Sequence, residues 1–220
     1  MRNKSELADI VIGFIGTMMM FLGLNIFNAY VLMSISFHLR MIAAFVTYWV
    51  VAIVPIIIMI ARKEKLSQYG FSKSNIVKQV ITGVLLGLVF SIIFTLIPHL
   101  AGFGDFVNSS KTYQQLWQFA YEFVYCVLAV SLTEEFIFRG FLYYKIEKIS
   151  NTATAVIVSS IMFGLAHIFS GNIFQVFGTS VLGLLFCLCR NKIKNVSTLS
   201  LVVLHGVYDA LIVVVAYLFR

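Results

Sequence analysis

The sequence predicts an all-α, polytopic membrane bundle of about seven transmembrane helices, with its N-terminus on the cytoplasmic side. Three observations carry that reading. The 220 residues are 60% hydrophobic and only 11% charged, whereas about a quarter of a soluble domain is charged. Mean hydropathy is +0.96. The apolar residues fall in runs of about twenty, the length that crosses a ~30 Å hydrocarbon core as a helix. Without water to bind backbone groups, only helices or a closed barrel span a bilayer. These runs lack the period-two alternation of a barrel.

The first run, Ile10–Met33, follows Arg2 and Lys4. It is too long for a signal-peptide core and has no small-x-small cleavage site, so it reads as a retained span. Met41–Ala61 is second. The longest polar linker, Arg62–Lys78, comes next, with Gly70 as punctuation and Phe71 and Ile76 as anchors for a short interfacial segment. Gln79–Ala101, an over-long Leu116–Tyr144, Ala153–Ser170, Ile173–Cys189 and Ser197–Phe219 complete the set. No internal repeat or low-complexity segment interrupts this single transmembrane domain of residues 1–220.

Lysine and arginine placement sets the orientation. Inner segments hold Arg2 and Lys4, then Arg62, Lys63, Lys65, Lys73 and Lys78, then Arg139, Lys145 and Lys148, and finally Arg190, Lys192 and Lys194. Outer segments hold Arg40, Lys111 and Arg220. This bias follows the positive-inside rule, with or without Arg139, which falls inside a span. The net charge of +7 therefore reads as topology, and no nucleic-acid partner is expected. Cys126, Cys187 and Cys189 lie in apolar runs and read as small buried hydrophobes rather than a disulfide framework.

A charge at mid-bilayer costs at least ~2.5–3.5 kcal/mol, so an ionisable residue there marks function or a packing knot. Glu134, Glu135 and Arg139 lie in the fourth span, His167 in the fifth, and His205 and Asp209 in the seventh. Glu122 and His99 read as solvated residues near the outer interface. Glu135 and Arg139 are i, i+4 with the acid first, the favourable order for an ion pair. Glu134 points ~100° away and lacks that partner, which suits a general base. Phe163 and His167 share a face beside the small Gly164 and Ala166, which allow close helix approach. His205 and Asp209 share another face. A lone histidine on such a helix more often packs than reacts. At ~1.5 Å per residue, however, Glu134 and His205 both lie ~16 Å from the inner edge, with Asp209 and His167 at ~22–24 Å. Three helices bring them to one band.

Glu134-Glu135-x-x-x-Arg139-Gly140, Phe163-x-x-x-His167 and His205-x-x-x-Asp209, in that order on late helices, resemble the CAAX-protease and bacteriocin-processing (Abi) family of intramembrane endopeptidases. The resemblance covers about residues 117–217, so 116–220 would form the catalytic core, with the role of 1–115 unclear. It implies that Glu134 activates the attacking water with help from His167, and that His205 and position 209 bind the water or the oxyanion. Glu135, Arg139 and Phe163 would be supporting. Cofactor use stays open. Glu134, His167 and His205 could ligate a divalent metal such as zinc, but Glu135 is committed to Arg139, which leaves no other base and favours a metal-free reaction. The family commonly has Asn at position 209, and an ionised Asp cannot donate to an oxyanion. Asp209 must be protonated, orient His205 or ligate a metal. Family members often carry a further span after this helix, so the cavity wall is expected to be thinner here.

The implied partners are membrane lipid and a peptide or lipidated-protein substrate, in a multi-pass protein of a bacterial plasma membrane. The implied roles are bacteriocin or peptide-signal processing, or self-immunity. No sequence feature sets the oligomeric state. No His-Glu-x-x-His is present, and Gly178-Thr179-Ser180-Val181 departs from a Gly-x-Ser-Gly motif. Gly102-Phe103-Gly104-Asp105 with Tyr208-Asp209 imitates an aspartyl-protease pair in reversed order. The alternatives are a non-catalytic scaffold or immunity regulator of the same fold, and a transporter, for which repeat symmetry is missing.

Overall fold

The structure, a computed structural model, describes residues 2–104, 111 and 113–219, without the side chains of residues 2 and 3. Asp105 and Arg220, weighed above, lie outside the described residues. Among the described residues, seven helices are long and apolar enough to cross a membrane: α1 (Lys4–Ser34), α2 (Phe37–Ala61), α3 (Ile76–Phe103), α4 (Leu116–Ile149), α5 (Thr152–Ser170), α6 (Ile173–Lys192) and α7 (Thr198–Leu218). No strand occurs among the described residues. The protein is an all-α, multi-pass membrane protein.

Local chemistry explains the helix ends. Asn151, Asn172 and Ser197 cap α5, α6 and α7, each accepting from backbone N–H groups of the first turn, which satisfies donors that have no helical partner. Arg190 and Lys192 extend α6 past Cys189, where cations meet the carbonyl end of the helix dipole. The long linker is not wholly irregular. Leu66–Tyr69 forms a 3-10 turn closed by Gly70 at φ 80°. Tyr69 is buried and packs edge-on against Phe136 and Phe141. Burial and a hydrogen bond to Glu64 push its phenol well above the usual range.

The two prolines reshape spans. A proline has no N–H and clashes with the carbonyl four residues back. Before Pro55 the backbone tightens into a 3-10 stretch, Trp49–Ala52. Before Pro98 it loosens into a π-helical stretch, Ile92–Leu96. Close packing joins α3 to α7. A Cβ on Gly83 would lie 2.6 Å from the Ser200 carbonyl, and one on Gly87 would lie 2.8 Å from Val207 Cβ, as expected where small residues let backbones meet.

Helix α4 runs past Tyr144 because Lys145 is not at a solvated edge. Its ammonium is fully buried and contacts Glu6, Asp9 and Glu64 at 2.8–2.9 Å. Lys148 pairs with Glu6, and Arg62 with Asp9 at 2.7 Å. Glu6 and Asp9 precede the apolar run that marks the first span in the sequence, so these intrahelical acids were not anticipated. Three acids and three bases thus tie α1 and the α2–α3 linker to the end of α4. Removing one member of a buried ion group strands the rest and typically costs about 3–5 kcal/mol. Lys145→Met is therefore expected to lower Tm sharply in detergent, and an unchanged Tm would contradict this role.

Candidate functional site

Within α4, the turn Leu132–Glu135 lies between two π-helical segments, Cys126–Ser131 and Phe136–Leu142. Such wide turns inside α-helices often mark functional sites. The two glutamates diverge and meet different neighbours. Glu135 is fully buried, and its Oε1 accepts from Arg139 Nη1 at 3.0 Å and from His205 Nδ1 at 2.8 Å. The guanidinium of Arg139, also fully buried, lies 4.0 Å from the ring centre of Phe163 and 5.3 Å from that of Phe186. A Cβ on Gly183 would lie 3.0 Å from Arg139 Nη2, so that glycine makes room for the cation. The ion pair expected from the i, i+4 spacing is present, and His205 shares it.

Glu134 is buried but not without a partner, contrary to the sequence expectation. Tyr48 of α2 donates its hydroxyl to Oε1. The other oxygen, Oε2, has no hydrogen bond among the described residues and lies 3.8 Å from His205 Nε2. The sequence reading missed Tyr48 because it is uncharged, belongs to no motif and lies 86 positions away. Its one sequence signal is Pro55, two helical turns further along.

His205 and Asp209 do share a face of α7, with Nε2 3.3 Å from Oδ2. Both imidazole nitrogens thus face carboxylate oxygens, a geometry in which both act as donors. His167 is not inside its helix but at the C-terminal cap. Its Nδ1 lies 3.0 Å from the Phe163 carbonyl, which can only accept, so Nδ1 donates there, the tautomer that in a neutral ring has its lone pair on Nε2. Phe163 joins the set. Its ring is edge-on to His167 at 5.1 Å and to His205 at 5.8 Å. A Cβ on Gly164 would overlap Ser180 Oγ at 1.8 Å, so α5 and α6 meet closely at this depth.

Glu134, His167, His205 and Asp209 all line one cavity of about 930 Å³, together with Tyr48, Phe94, Phe174, Phe177, Leu182 and Ile212. Direct polar approaches join Glu134, His205 and Asp209, and Phe163 links His167 to them. Among the described residues, no three His, Cys, Asp or Glu side chains are placed to hold a metal ion. Glu134, His167 and His205 therefore do not form such a group as arranged, although His167 Nδ1 on a carbonyl and His205 Nδ1 on Glu135 are contacts that a ligating histidine also makes.

One further expectation is corrected. Glu122 is not solvated but 2% exposed, held by Lys111 at 2.5 Å and Tyr113 at 2.7 Å. Lys111, which precedes α4, supplies the cation that an isolated reading of the span cannot see. Burial and the Glu122 carboxylate raise the Tyr113 phenol. His99 is half-buried and packs on Phe219 at 5.1 Å.

A family model described as type II CAAX prenyl endopeptidase Rce1-like matches residues 116–211. All seven candidate site residues lie within that match, and Tyr48 lies outside it. No curated protein and no solved structure matches the chain.

Phe163→Leu keeps apolar bulk but removes the ring that covers Arg139. A desolvated cation–π contact is worth about 2 kcal/mol, so Tm is expected to fall by about 4–8 °C. An unaltered melting curve would remove Phe163 from this role.

Proposed function

We propose that this membrane protein, an intramembrane endopeptidase of the Rce1-like family over residues 116–211, hydrolyses its peptide with a water activated by Glu134. The observation that carries this reading is the buried, unpartnered Glu134 Oε2, which belongs to a cavity-lining carboxylate and lies 3.8 Å from His205 Nε2. Glu135 also has an oxygen without a hydrogen bond, Oε2, but it is fully buried and does not line the cavity, and its Oε1 is held by Arg139 and His205.

In this reading Oε2 takes a proton from water as the water oxygen bonds to the scissile carbonyl carbon. The carbonyl electron pair moves to oxygen. The resulting oxyanion accepts from His205 Nε2–H, a donor held in place before charge develops. Asp209 shares that N–H and keeps the imidazole turned toward the cavity, so it acts through His205 rather than on the oxyanion. His167, with its Nε2 lone pair, helps hold the water. On collapse the C–N bond breaks and Glu134 returns its proton to the leaving amine. No step in this reading is routed through a metal.

The aromatic and aliphatic lining of the cavity supports a peptide or lipidated-protein tail that enters from the membrane. Residence in a bacterial plasma membrane, and a role in bacteriocin or peptide-signal processing or in self-immunity, follow from the family resemblance alone. Glu134→Gln in the purified full chain is expected to lower kcat on a quenched-fluorescence peptide by about 10²–10⁴-fold with Tm preserved; retained turnover would refute the base assignment. Active enzyme is also expected to hold well under one zinc per chain. Stoichiometric zinc that leaves together with activity would overturn the metal-free reading.

A further inference from the structure

The two adjacent glutamates have partners of different kinds. Glu135 has an arginine and a histidine on one oxygen. Glu134 has a neutral phenol on Oε1 and no hydrogen bond on Oε2. A phenol can restrain a carboxylate without neutralising it, and it satisfies only one of the two oxygens. It also distinguishes them: one is tied and the other is left to react.

Tyr48 is held for this task from several sides. Its ring meets Phe21 of α1 edge-on at 6.3 Å and Tyr125 of α4 edge-on at 6.1 Å. Tyr125 stacks on Tyr121 at 5.8 Å, and Tyr121 donates to the Met41 carbonyl at 2.7 Å, which staples α4 to α2. The tightened 3-10 stretch begins at the next residue, Trp49, with Val51 and Ala52 buried. Tyr48 also lines the cavity beside Glu134.

We infer that Tyr48 is a positioning residue of the hydrolysis: its hydroxyl fixes Glu134 by Oε1 and so commits Oε2 to the water. This rests on the reading of Glu134 as the base. It also makes a span outside the family match part of the active site. A packing tyrosine would show itself in stability. A positioning tyrosine shows itself in turnover, because it acts on the orientation of the base after substrate is bound.

The test compares wild type, Tyr48→Phe and Glu134→Gln as full-length protein in detergent or lipid, with one quenched-fluorescence peptide. For Tyr48→Phe, kcat is expected to fall about 10- to 100-fold with KM within about twofold and Tm preserved. Wild-type kcat overturns the inference, and so does a raised KM with unchanged kcat, which would make Tyr48 a substrate contact. Should the phenylalanine variant fold poorly, 2,3-difluorotyrosine at position 48 keeps the ring and strengthens the donor. A change in kcat of about threefold or more supports the inference, and no change overturns it. The two readings fail separately. An inactive Glu134→Gln beside a fully active Tyr48→Phe removes only Tyr48, whereas an active Glu134→Gln removes the base itself.

Discussion

A single carboxylate oxygen, Glu135 Oε1, accepts from both Arg139 and His205 in the fully buried centre of the bundle, and the site depends on it. Charges removed from water are tolerated only when paired with good geometry. The pairing joins α4 to α7, and the rings of Phe163 and Phe186 bring α5 and α6 over the guanidinium. Four helices are thereby fixed at one depth. Glu134, by contrast, is hydrogen-bonded among the described residues only by a neutral phenol, with His205 Nε2 3.8 Å from its second oxygen.

The N-terminal helices are not merely a scaffold around this core. The Lys145 cluster ties α1 and the α2–α3 linker to the end of α4. Tyr48 approaches from α2. Each proline deforms a span next to the cavity: Pro55 follows the tightened stretch after Tyr48, and Pro98 follows the π-helical stretch that carries the cavity-lining Phe94. Deformation at these points lets side chains from α2 and α3 reach a site encoded mainly in α4 to α7.

The seven spans were legible because bilayer thickness imposes a length and an apolar composition that local sequence must meet. The Glu135–Arg139 pair and the shared face of His205 and Asp209 were legible because i, i+4 spacing is a property of one helix. What escaped was contact between distant segments. Glu122 looks solvated until Lys111 and Tyr113 fold onto it. Glu6 and Asp9 look like a polar tail until Lys145 is buried among them. Tyr48 carries no charge and no motif, so nothing short of tertiary structure places its hydroxyl on Glu134. The capping position of His167 was hidden for a related reason: the apolar run continues to Ser170, although the regular helix ends at Ala166.

The central claim is that Glu134 acts on water and is not itself the nucleophile. A single turnover of wild-type enzyme in ¹⁸O-water, followed by mass spectrometry of product and protein, tests it most directly. The account predicts one ¹⁸O in the new carboxyl terminus of the peptide and none in the Glu134 side chain. Label in Glu134, or a trapped acyl-enzyme at that residue, would contradict it.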